Sequence, residues 1–279
     1  MPNSERAQKA EAFRKMHLEG DILLLPNVWD VASARIIESA GFPAIATSSA
    51  GIAFAQGFPD GQKIPAERML AVIAEISKAV QVPVTADVEA GYGSKPEDAA
   101  RTARRVIEAG AVGMNFEDAT GDPARPLFDL EEQVERIRAI REQGESLGVP
   151  LVVNARTDVY LLQIGEANTR YGEALRRLSA YRDAGADCLF VPGLMDLATI
   201  RQFVADLKCP VNILAVPSSP SVAELKGAGV RRVSLGSGPM RAAMGLLRRL
   251  ATEVSIDGTY SILRDAPSHA EMNKLMGRN

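Results

Sequence analysis

Two acidic side chains in the first half of the chain, Asp87 and Glu89, have the types and spacing to do chemistry together. They follow a short apolar run at 82–86 and precede a turn with glycines at 91 and 93. Alternate residues of a β-strand point to the same side, so both carboxylates are predicted to face one spot just beyond a strand end. Adjacent carboxylates repel each other unless a cation or a shared proton lies between them. The stretch therefore indicates a cation site or a proton-sharing pair, with a solvated acidic turn as the alternative.

A further set of polar side chains follows other apolar runs, at the points where strands are predicted to end. Oxygen ligands suit Mg²⁺, with Mn²⁺ as the alternative, whereas the planar guanidinium of arginine suits a carboxylate or a phosphate. These types together predict a site for a small dianion bound to a divalent metal ion. The set comprises Asn27, Ser48, Ser49, Asp60, Asn115, Glu117, Asp118, Asn154, Arg156, Asp158, Asn212 and Arg241, and Ala50 joins it through the backbone of the small-residue stretch that begins at Ser48.

Each of these features also has a structural interpretation. The small residues at 48–51 leave backbone N–H groups free for an anion, but they are also typical of a tight turn. Arg156 suits a substrate carboxylate and equally an ion pair with Asp158 or Glu117. The Gly-Ser-Gly sequence at 236–238 resembles a phosphate cradle or a plain helix start. The functional interpretation depends on their occurrence at successive strand ends.

The apolar runs recur along the chain and count the strands. Four of them follow an Ala-Gly step, which is typical of a helix that ends in a glycine cap before a buried strand. Three others begin with Val-Pro or Cys-Pro, where proline is tolerated because the first strand residue need not donate to the ladder. With the run at 22–25 they give eight strands. Helical patterns are predicted near 30–39, 66–79, 96–108, 130–147, 171–183, 197–206, 222–226 and 239–253.

This alternation predicts an α/β fold, a (β/α)8 TIM barrel that forms one domain over residues 1–279. Residues 254–279 are predicted to form a C-terminal helical extension that packs outside the barrel or reaches a neighbouring subunit. A doubly wound open sheet is the alternative, but the sequence after the first strand lacks the glycine-rich turn of such sheets. In a barrel the active site lies at the C-terminal ends of the strands, where the polar side chains collect.

Composition and charge narrow the class of protein. The net charge of −3 and the scattered basic side chains argue against a nucleic-acid partner. No apolar run reaches the roughly 18 residues of a membrane span, so no membrane partner is expected. Two cysteines do not make a disulfide framework and fit a reducing cytoplasm, and two histidines are too few for a histidine-rich metal site. A cytoplasmic protein is therefore expected.

With these motifs in place, the chain resembles the isocitrate lyase and phosphoenolpyruvate mutase superfamily along nearly its whole length. Singly the motifs are weak, but together they are specific. The resemblance implies a (β/α)8 barrel whose eighth helix is exchanged between subunits of a homodimer or homotetramer. It also implies Mg²⁺ and a small 2-oxo acid or dicarboxylate that passes through an enolate. The matching motifs lie at 47–51 (Thr-Ser-Ser-Ala-Gly), 57–60 (Gly-Phe-Pro-Asp), 87–93 (Asp-Val-Glu-Ala-Gly-Tyr-Gly), 115–118 (Asn-Phe-Glu-Asp) and 155–158 (Ala-Arg-Thr-Asp).

The resemblance also implies roles for individual residues. Asp87 is implied to be the direct metal ligand, and three other acids to hold the metal largely through its waters: Asp60, Glu89 and Glu117. Substrate contacts are implied for Ser48, Ser49 and Ala50 at one carboxylate, for Arg156 as its clamp, and for Asn212 and Arg241 at a second carboxylate. Arg156, Glu117 and Tyr92 are the candidate catalytic residues. If the reaction needs a general base, the candidates are Tyr92, Asp118 and a water on the metal.

The chain departs from the lyases of this superfamily at two loops. The lyases carry a Lys-Lys-Cys-Gly-His loop whose cysteine is the general acid and base, whereas residues 118–127 here contain no Cys, Lys or His. The glutamate expected after the sixth strand is replaced by Pro192 and Gly193. Cleavage of isocitrate or methylisocitrate is therefore not expected.

The function predicted from the sequence is a Mg²⁺-dependent carbon–carbon lyase or decarboxylase that acts on a small 2-oxo acid through an enolate. Decarboxylation of an oxaloacetate-like acid needs no strong base, which fits the missing cysteine. Three alternatives remain open: mutase or hydrolase chemistry on phosphoenolpyruvate or phosphonopyruvate, a non-catalytic binder of 2-oxo acids, and an unrelated phosphate-binding barrel that uses residues 236–238.

Overall fold

The computed structural model describes residues 3–277, and its strands form a parallel barrel. Residues 1–2 and 278–279 of the predicted 1–279 domain lie outside the described residues. The barrel strands are β1 (Leu23–Leu25), β2 (Asn27–Val28), β3 (Ile45–Thr47), β4 (Val84–Asp87), β5 (Gly113–Glu117), β8 (Val152–Arg156), β9 (Cys188–Phe190), β10 (Val211–Leu214) and β11 (Arg232–Ser234). A separate antiparallel hairpin consists of β6 (Ala119–Asp122) and β7 (Arg125–Leu127).

The first barrel strand is divided into two segments, β1 and β2, and each segment pairs with a different neighbour to close the barrel. β1 pairs with β11 and β2 pairs with β3, and only Pro26 separates the two halves. The strands lie in the order β1-β11-β10-β9-β8-β5-β4-β3-β2. Because β1 and β2 are one continuous stretch, the nine segments are eight barrel strands. The predicted (β/α)8 architecture is confirmed.

The eight helices predicted between residues 30 and 253 all form, and their ends differ from the prediction by at most three residues. The prediction missed the short helix α3 and the β6–β7 hairpin. The helices are α1 (Asn3–Leu18), α2 (Val31–Ser39), α3 (Ser49–Ala55), α4 (Ala66–Ala79), α5 (Pro96–Glu108), α6 (Leu130–Ser146), α7 (Arg170–Asp183), α8 (Leu197–Leu207), α9 (Val222–Gly227), α10 (Gly238–Ile256) and α11 (His269–Met276), with a 3₁₀ helix at Ser261–Asp265.

Two of the Ala-Gly steps show why the helices end where predicted. Gly110 and Gly185 have φ angles of +92° and +106°, a region that side chains with a Cβ rarely adopt. Each turns the chain from the end of a helix into the next buried strand. Among residues 3–277, no helix is long and apolar enough to cross a membrane.

The C-terminal extension begins later than predicted, because α10 continues to Ile256. Within the predicted extension, the structure has the 3₁₀ helix at Ser261–Asp265 and then α11 at His269–Met276. The extension returns to the barrel exterior at α2, where Arg35 Nη1 donates to Leu275 O at 3.1 Å. The exchange of helices between subunits stays a prediction, since the structure is of one chain.

Helix α1 covers the N-terminal end of the barrel and carries a buried imidazole. Phe13 is fully buried, and a Cβ on Gly113 would lie 2.8 Å from its ring. His17 Nδ1 lies 2.8 Å from Phe13 O, and Nε2 lies 3.4 Å from Nη1 of Arg232, the fully buried arginine inside the barrel. Nδ1 therefore donates and Nε2 accepts. Burial, and then the charge of Arg232, lowers the pKa of His17 from 6.5 to about 3.

We expect His17 to make the protein acid-sensitive. Its pKa is lowered on folding, so between pH 6.5 and about 3 the unfolded chain binds a proton that the folded chain does not. The free energy of unfolding should therefore fall as the pH falls through this window, by up to about 1.4 kcal/mol per pH unit. Urea unfolding from pH 7 to pH 4.5 should show a shallower slope for His17→Gln than for the wild type. The exposed His269→Gln is the control, and equal slopes for wild type and His17→Gln would contradict the expectation.

Candidate active site

Asp87 is the last residue of β4, and the chain around it orients its carboxylate. Ser49 donates to Asp87 Oδ2 twice, from its backbone N at 2.9 Å and its Oγ at 2.8 Å. Thr47 Oγ1 accepts from Asp87 N at 2.9 Å. The other carboxylate oxygen, Oδ1, is buried and has no hydrogen-bond partner within residues 3–277. Asp87 is therefore a fixed carboxylate with one oxygen left over.

Glu89 repeats this pattern from a different backbone conformation. β4 ends at Asp87, so the predicted alternation of Asp87 and Glu89 along one strand is wrong. Glu89 lies in the following turn with a φ of +53°. Its Oε2 accepts from Gln62 N at 2.6 Å, whereas Oε1 is buried and unpartnered in the described part of the chain. The turn, rather than the strand, supplies the second acid.

Residues 48–51 form the start of α3 instead of the predicted tight turn. Ser48 is the N-cap, and its Oγ accepts from Gly51 N at 3.1 Å. The N–H of Ser49 goes to Asp87, as described above, so this N–H already holds an acid of the site. Ala50 lies between Ser49 and Gly51 in the first turn of the helix. The substrate roles of Ser48, Ser49 and Ala50 stay predictions.

Arg156 joins the ends of β5 and β8 through two carboxylates. Its Nη1 lies 2.8 Å from Glu117 Oε2, and its Nε and Nη2 donate to Asp158 at 2.5 and 2.8 Å. Burial opposes its charge, but Glu117 and Asp158 raise the pKa of Arg156 above its ordinary value. The ion pairs foreseen as the structural interpretation do form. A guanidinium has five N–H donors, so these three bonds leave two for a ligand.

The acids of the site raise the pKa values of one another. Burial, followed by the charges of Asp87 and Asp60, raises the pKa of Glu89 to about 8. Burial raises the pKa of Glu117 well above its ordinary value, against the opposing charge of Arg156. The pKa of Asp60 is also raised, first by desolvation and then by Asp87, although Asp60 lies on an exposed loop. Burial is the largest cause in each case, and the negative charges of neighbouring acids add to it.

Tyr92 adds a hydroxyl to the same region. It also has a left-handed backbone, with a φ of +54°, and its N donates to Gln62 Oε1 at 2.6 Å. Its OH is buried and without a hydrogen-bond partner among the described residues. Burial, with the charges of Glu89 and Asp87, raises the pKa of the Tyr92 phenol. A phenol in these surroundings keeps its proton and acts as a donor.

Asp118 is buried and fully bonded, which argues against its candidacy as a general base. Its Oδ2 accepts from Thr157 Oγ1 and Tyr181 OH, both at 2.7 Å, and pairs with Arg177 at 3.3 Å. Its Oδ1 accepts from Asp158 N at 2.9 Å. With both oxygens occupied, Asp118 orients the loop that carries Asp158.

Two of the predicted substrate contacts share no hydrogen bond or ion pair with this group among the described residues. Asn212 is fully buried near the start of β10, where its Nδ2 donates to Ser234 Oγ at 3.2 Å, so it lies inside the barrel rather than at a strand end. Arg241 is exposed in the first turn of α10. At 235–236, the two backbone N–H groups both donate to Asn27 Oδ1 at 2.8 Å. Of the two interpretations of residues 236–238, the helix start is observed: Gly236 N donates to Asn27, and α10 begins at Gly238.

The acids fit a hard divalent cation that keeps most of its water. Across residues 3–277, no three histidine, cysteine or acidic side chains form a complete set of metal ligands. Asp87 Oδ1 and Glu89 Oε1 are nevertheless buried oxygens that lack a donor within these residues, which is costly unless a cation or water satisfies them. Mg²⁺ is bound through few carboxylates and several waters, so a sparse set of this kind suits it.

Comparison with known proteins identifies the family. The sequence model of the family described as phosphoenolpyruvate phosphomutase matches residues 13–255. The chain belongs to this family. A 2-methylisocitrate lyase of Bacillus subtilis is 31% identical over 218 residues, which cover 76% of this chain and 68% of the lyase.

Solved structures place this phosphoenolpyruvate phosphomutase family member beside enzymes of differing chemistry. A candidate lyase/mutase from Burkholderia cenocepacia has a TM-score of 0.92 at 39% identity, and the match covers 98% of this chain and 97% of that one. A phosphonopyruvate hydrolase in complex with oxalate and Mg²⁺ has a TM-score of 0.84 at 25% identity, and the match covers 96% and 95% of the two chains. The fold and the superfamily predicted from the sequence are thereby confirmed.

Two residues of the site in this family member were missed or underrated from sequence. Gln62, with a φ of +57°, bridges the loop that carries Asp60 and the turn that carries Glu89. No local pattern marks a glutamine in an irregular loop for this role. Asp158 was expected among the strand-end residues without a role in the site beyond an ion pair, and it is buried and accepts from both Nε and Nη2 of Arg156. The motif at 155–158 carried that signal.

Proposed function

We propose that this protein is a Mg²⁺-dependent enzyme that cleaves or forms a carbon–carbon bond in a small 2-oxo acid through an enolate, as a lyase or a decarboxylase. The observation that carries the proposal is the pair of buried carboxylate oxygens, on Asp87 and Glu89, that have no hydrogen-bond partner among residues 3–277. The oxalate and Mg²⁺ complex of the phosphonopyruvate hydrolase supports it, because oxalate is a planar dianion like the enolate of a 2-oxo acid.

The residues would divide the work between cation and substrate. Asp87 would bind the cation directly, and Glu89, Asp60 and Glu117 would hold its waters. When bound, the cation supplies Lewis-acid stabilisation of the charge that develops on the oxo oxygen. The two remaining N–H donors of Arg156 would hold the substrate carboxylate, aligned by Glu117 and Asp158.

The proton chemistry would fall to Tyr92 in this proposal. Its protonated hydroxyl, which has no partner in the described part of the chain, suits a donor of a hydrogen bond or a proton to the substrate oxygen or carbon. Asp118 has no free oxygen for the task. A reaction in which CO₂ leaves and a proton is later returned to the enolate needs a donor and no strong base, which favours decarboxylation within the lyase class.

A second candidate is hydrolase or mutase chemistry on phosphonopyruvate or phosphoenolpyruvate. The family model and the phosphonopyruvate hydrolase structure favour it. In this case the phosphoryl group would lie near the guanidinium of Arg156. A non-catalytic binder of 2-oxo acids is separated from both by the absence of product.

A substrate panel tests these functions. The protein, with and without Mg²⁺ or Mn²⁺, would be screened by thermal shift and by product analysis against oxaloacetate, 2-oxoglutarate, pyruvate, substituted malates, phosphonopyruvate, isocitrate and 2-methylisocitrate. We expect Mg²⁺-dependent turnover of a small 2-oxo acid or substituted malate, and negligible cleavage of the last two because the lyase cysteine loop is missing. Cleavage of either at about 1 s⁻¹ or faster would contradict the second expectation. Full turnover in excess chelator would contradict the first.

We also expect a homodimer or homotetramer with α10 in the interface. Only Met240 is buried in this 19-residue helix, whereas Met244, Leu246, Leu247 and Val254 are exposed. A row of apolar side chains of this size on one helix is typical of a surface that another subunit covers. Light scattering at micromolar concentration should give at least twice the chain mass of 29.9 kDa. Leu247→Glu should lower the measured mass, and a wild-type monomer would contradict the expectation.

A further inference from the structure

The turn that carries Glu89 and Tyr92 has an unfavourable backbone. Glu89, Gly91 and Tyr92 have φ angles of +53°, +83° and +54°. Residues other than glycine adopt this left-handed region at a cost in energy, so contacts from outside the turn must hold it. Within the turn itself, Gly91 N donates to Val88 O at 2.9 Å. The remaining support comes from neighbouring elements.

A buried arginine on α6 provides much of that support. Arg136 is fully buried, and its Nη2 donates to the backbone oxygens of Ala90 and of Gly93, the latter at 2.8 Å. Its Nη1 donates to Gln133 Oε1 at 2.7 Å. Within the described residues Arg136 pairs with no carboxylate, so its charge faces two backbone carbonyls, one in the middle of the turn and one at its end. A planar group that binds both carbonyls restricts the shape of the turn between them.

The position of the guanidinium is itself fixed by two aromatic rings. Its carbon lies 4.0 Å from the centre of the Phe128 ring and 4.7 Å from the centre of the Phe116 ring. Phe116 precedes Glu117 on β5, and Phe128 follows the hairpin. A flat cation can stack on such rings while it donates within its plane, which a lysine ammonium cannot do.

The same helix also holds the second acid-bearing strand end. Gln133, one turn before Arg136, donates from its Nε2 to the backbone oxygen of Glu117 at 3.0 Å. Glu117 N in turn donates to Glu89 O at 3.1 Å. The beginning of α6 is therefore bonded to both of the loops that carry Glu89 and Glu117.

We propose that Arg136 is a positioning residue of the acid site: it holds the left-handed turn at 88–93 and thereby sets the affinity of the site for a divalent cation. The proposal rests on the proposed function, since it assumes that Glu89 serves a cation. Arg136 itself touches neither cation nor substrate.

Titration of Mg²⁺ into the protein by calorimetry tests the proposal without any assay of turnover. We expect Arg136→Met to weaken Mg²⁺ binding by about 10-fold or more, the range found when groups that orient metal ligands are removed. Arg136→Lys should recover part of the affinity, because a lysine can still donate to the two carbonyls but cannot stack. The matched control is Arg141→Met on the same helix. Arg141 donates to Leu151 O at 2.7 Å and Gly185 O at 3.0 Å, at the other end of the barrel.

The outcomes separate this proposal from the proposed function. Thermal unfolding midpoints of the Arg136→Met and Arg141→Met proteins would show how much each loses in stability. If Arg141→Met keeps wild-type Mg²⁺ affinity at an equal loss of stability, a fall in affinity for Arg136→Met supports positioning. Wild-type affinity in Arg136→Met or Arg136→Lys, or an equal fall in Arg141→Met, would overturn it. If the wild type binds no Mg²⁺, or Asp87→Asn binds it equally well, the proposed function fails instead.

Discussion

Replacement of Asp87 with asparagine is expected to abolish Mg²⁺ binding and turnover while the barrel stays folded. The amide keeps the shape of the carboxylate and can still accept from Ser49, but it loses the charge on the buried oxygen that lacks a partner among residues 3–277. Loss of a direct ligand should weaken Mg²⁺ binding by at least about 100-fold, the upper end of what the loss of a group that only orients a ligand causes. Calorimetric titration of Mg²⁺ and the rate of product formation are the measurements.

A second acid provides the control for this variant. Asp187 accepts from Val153 N at 2.8 Å and pairs with Arg14 and Arg141 at the opposite end of the barrel. Asp187→Asn should therefore cost stability without changing the affinity for Mg²⁺. Mg²⁺ binding by the Asp87→Asn protein at wild-type strength would exclude Asp87 from the metal site. It would also contradict the proposal that the following turn, which carries Glu89, serves the cation.

Replacement of Arg156 with lysine is expected to separate substrate binding from metal binding. A lysine keeps the charge but cannot satisfy Glu117 and Asp158 and still offer paired donors to a carboxylate. Affinity for oxalate or a 2-oxo acid should fall by roughly 1.5–3 kcal/mol, the scale of a charged hydrogen bond. Mg²⁺ affinity should change little, because Glu117 is proposed to act through waters.

The contact between Arg156 and Glu117 decides how each outcome is interpreted. Because Arg156 contacts Glu117 directly, a parallel loss of Mg²⁺ affinity would show that its main task is to align that acid. Unchanged affinity for the oxo acid would exclude Arg156 from the substrate site. Lys226→Arg, a surface change at an exposed ion pair with Asp21, is a control for the handling of both proteins.

The sequence predicted the elements that local rules govern. The glycine caps at Gly110 and Gly185 and the proline-led strands follow from backbone sterics, and the helix ends lie close to their predicted positions. The sequence also predicted acids at the ends of β4 and β5, where the C-terminal ends of the barrel strands lie close together. These features depend only on the hydrophobic period, the helix caps and the order of the residues along the chain.

The predictions that failed concern features that depend on contacts between residues distant in sequence. The left-handed turn at Glu89 needs Arg136 and Gln62, which lie 47 and 27 positions away in sequence, to be known beforehand. Ser49 begins α3 because Ser48 caps it and Asp87 takes its N–H, and neither partner is visible in a small-residue stretch. From the sequence, Asp118 is indistinguishable from a free acid, because the four donors that bond it in the fold are distant in sequence or unmarked by any motif.

The seam of the barrel has a consequence for synthesis on the ribosome. Leu24 pairs with Val233, and Arg231 donates to the carbonyls of His17, Glu19 and Gly20, so the first strand acquires its second neighbour only when the last strand has emerged. At about 5–20 residues per second, the nascent chain carries an open strand edge for roughly 10–40 s. Such an edge invites pairing with other chains. Until β11 has emerged and paired with β1, the free edge of the first strand is the part of the barrel that is open to such pairing.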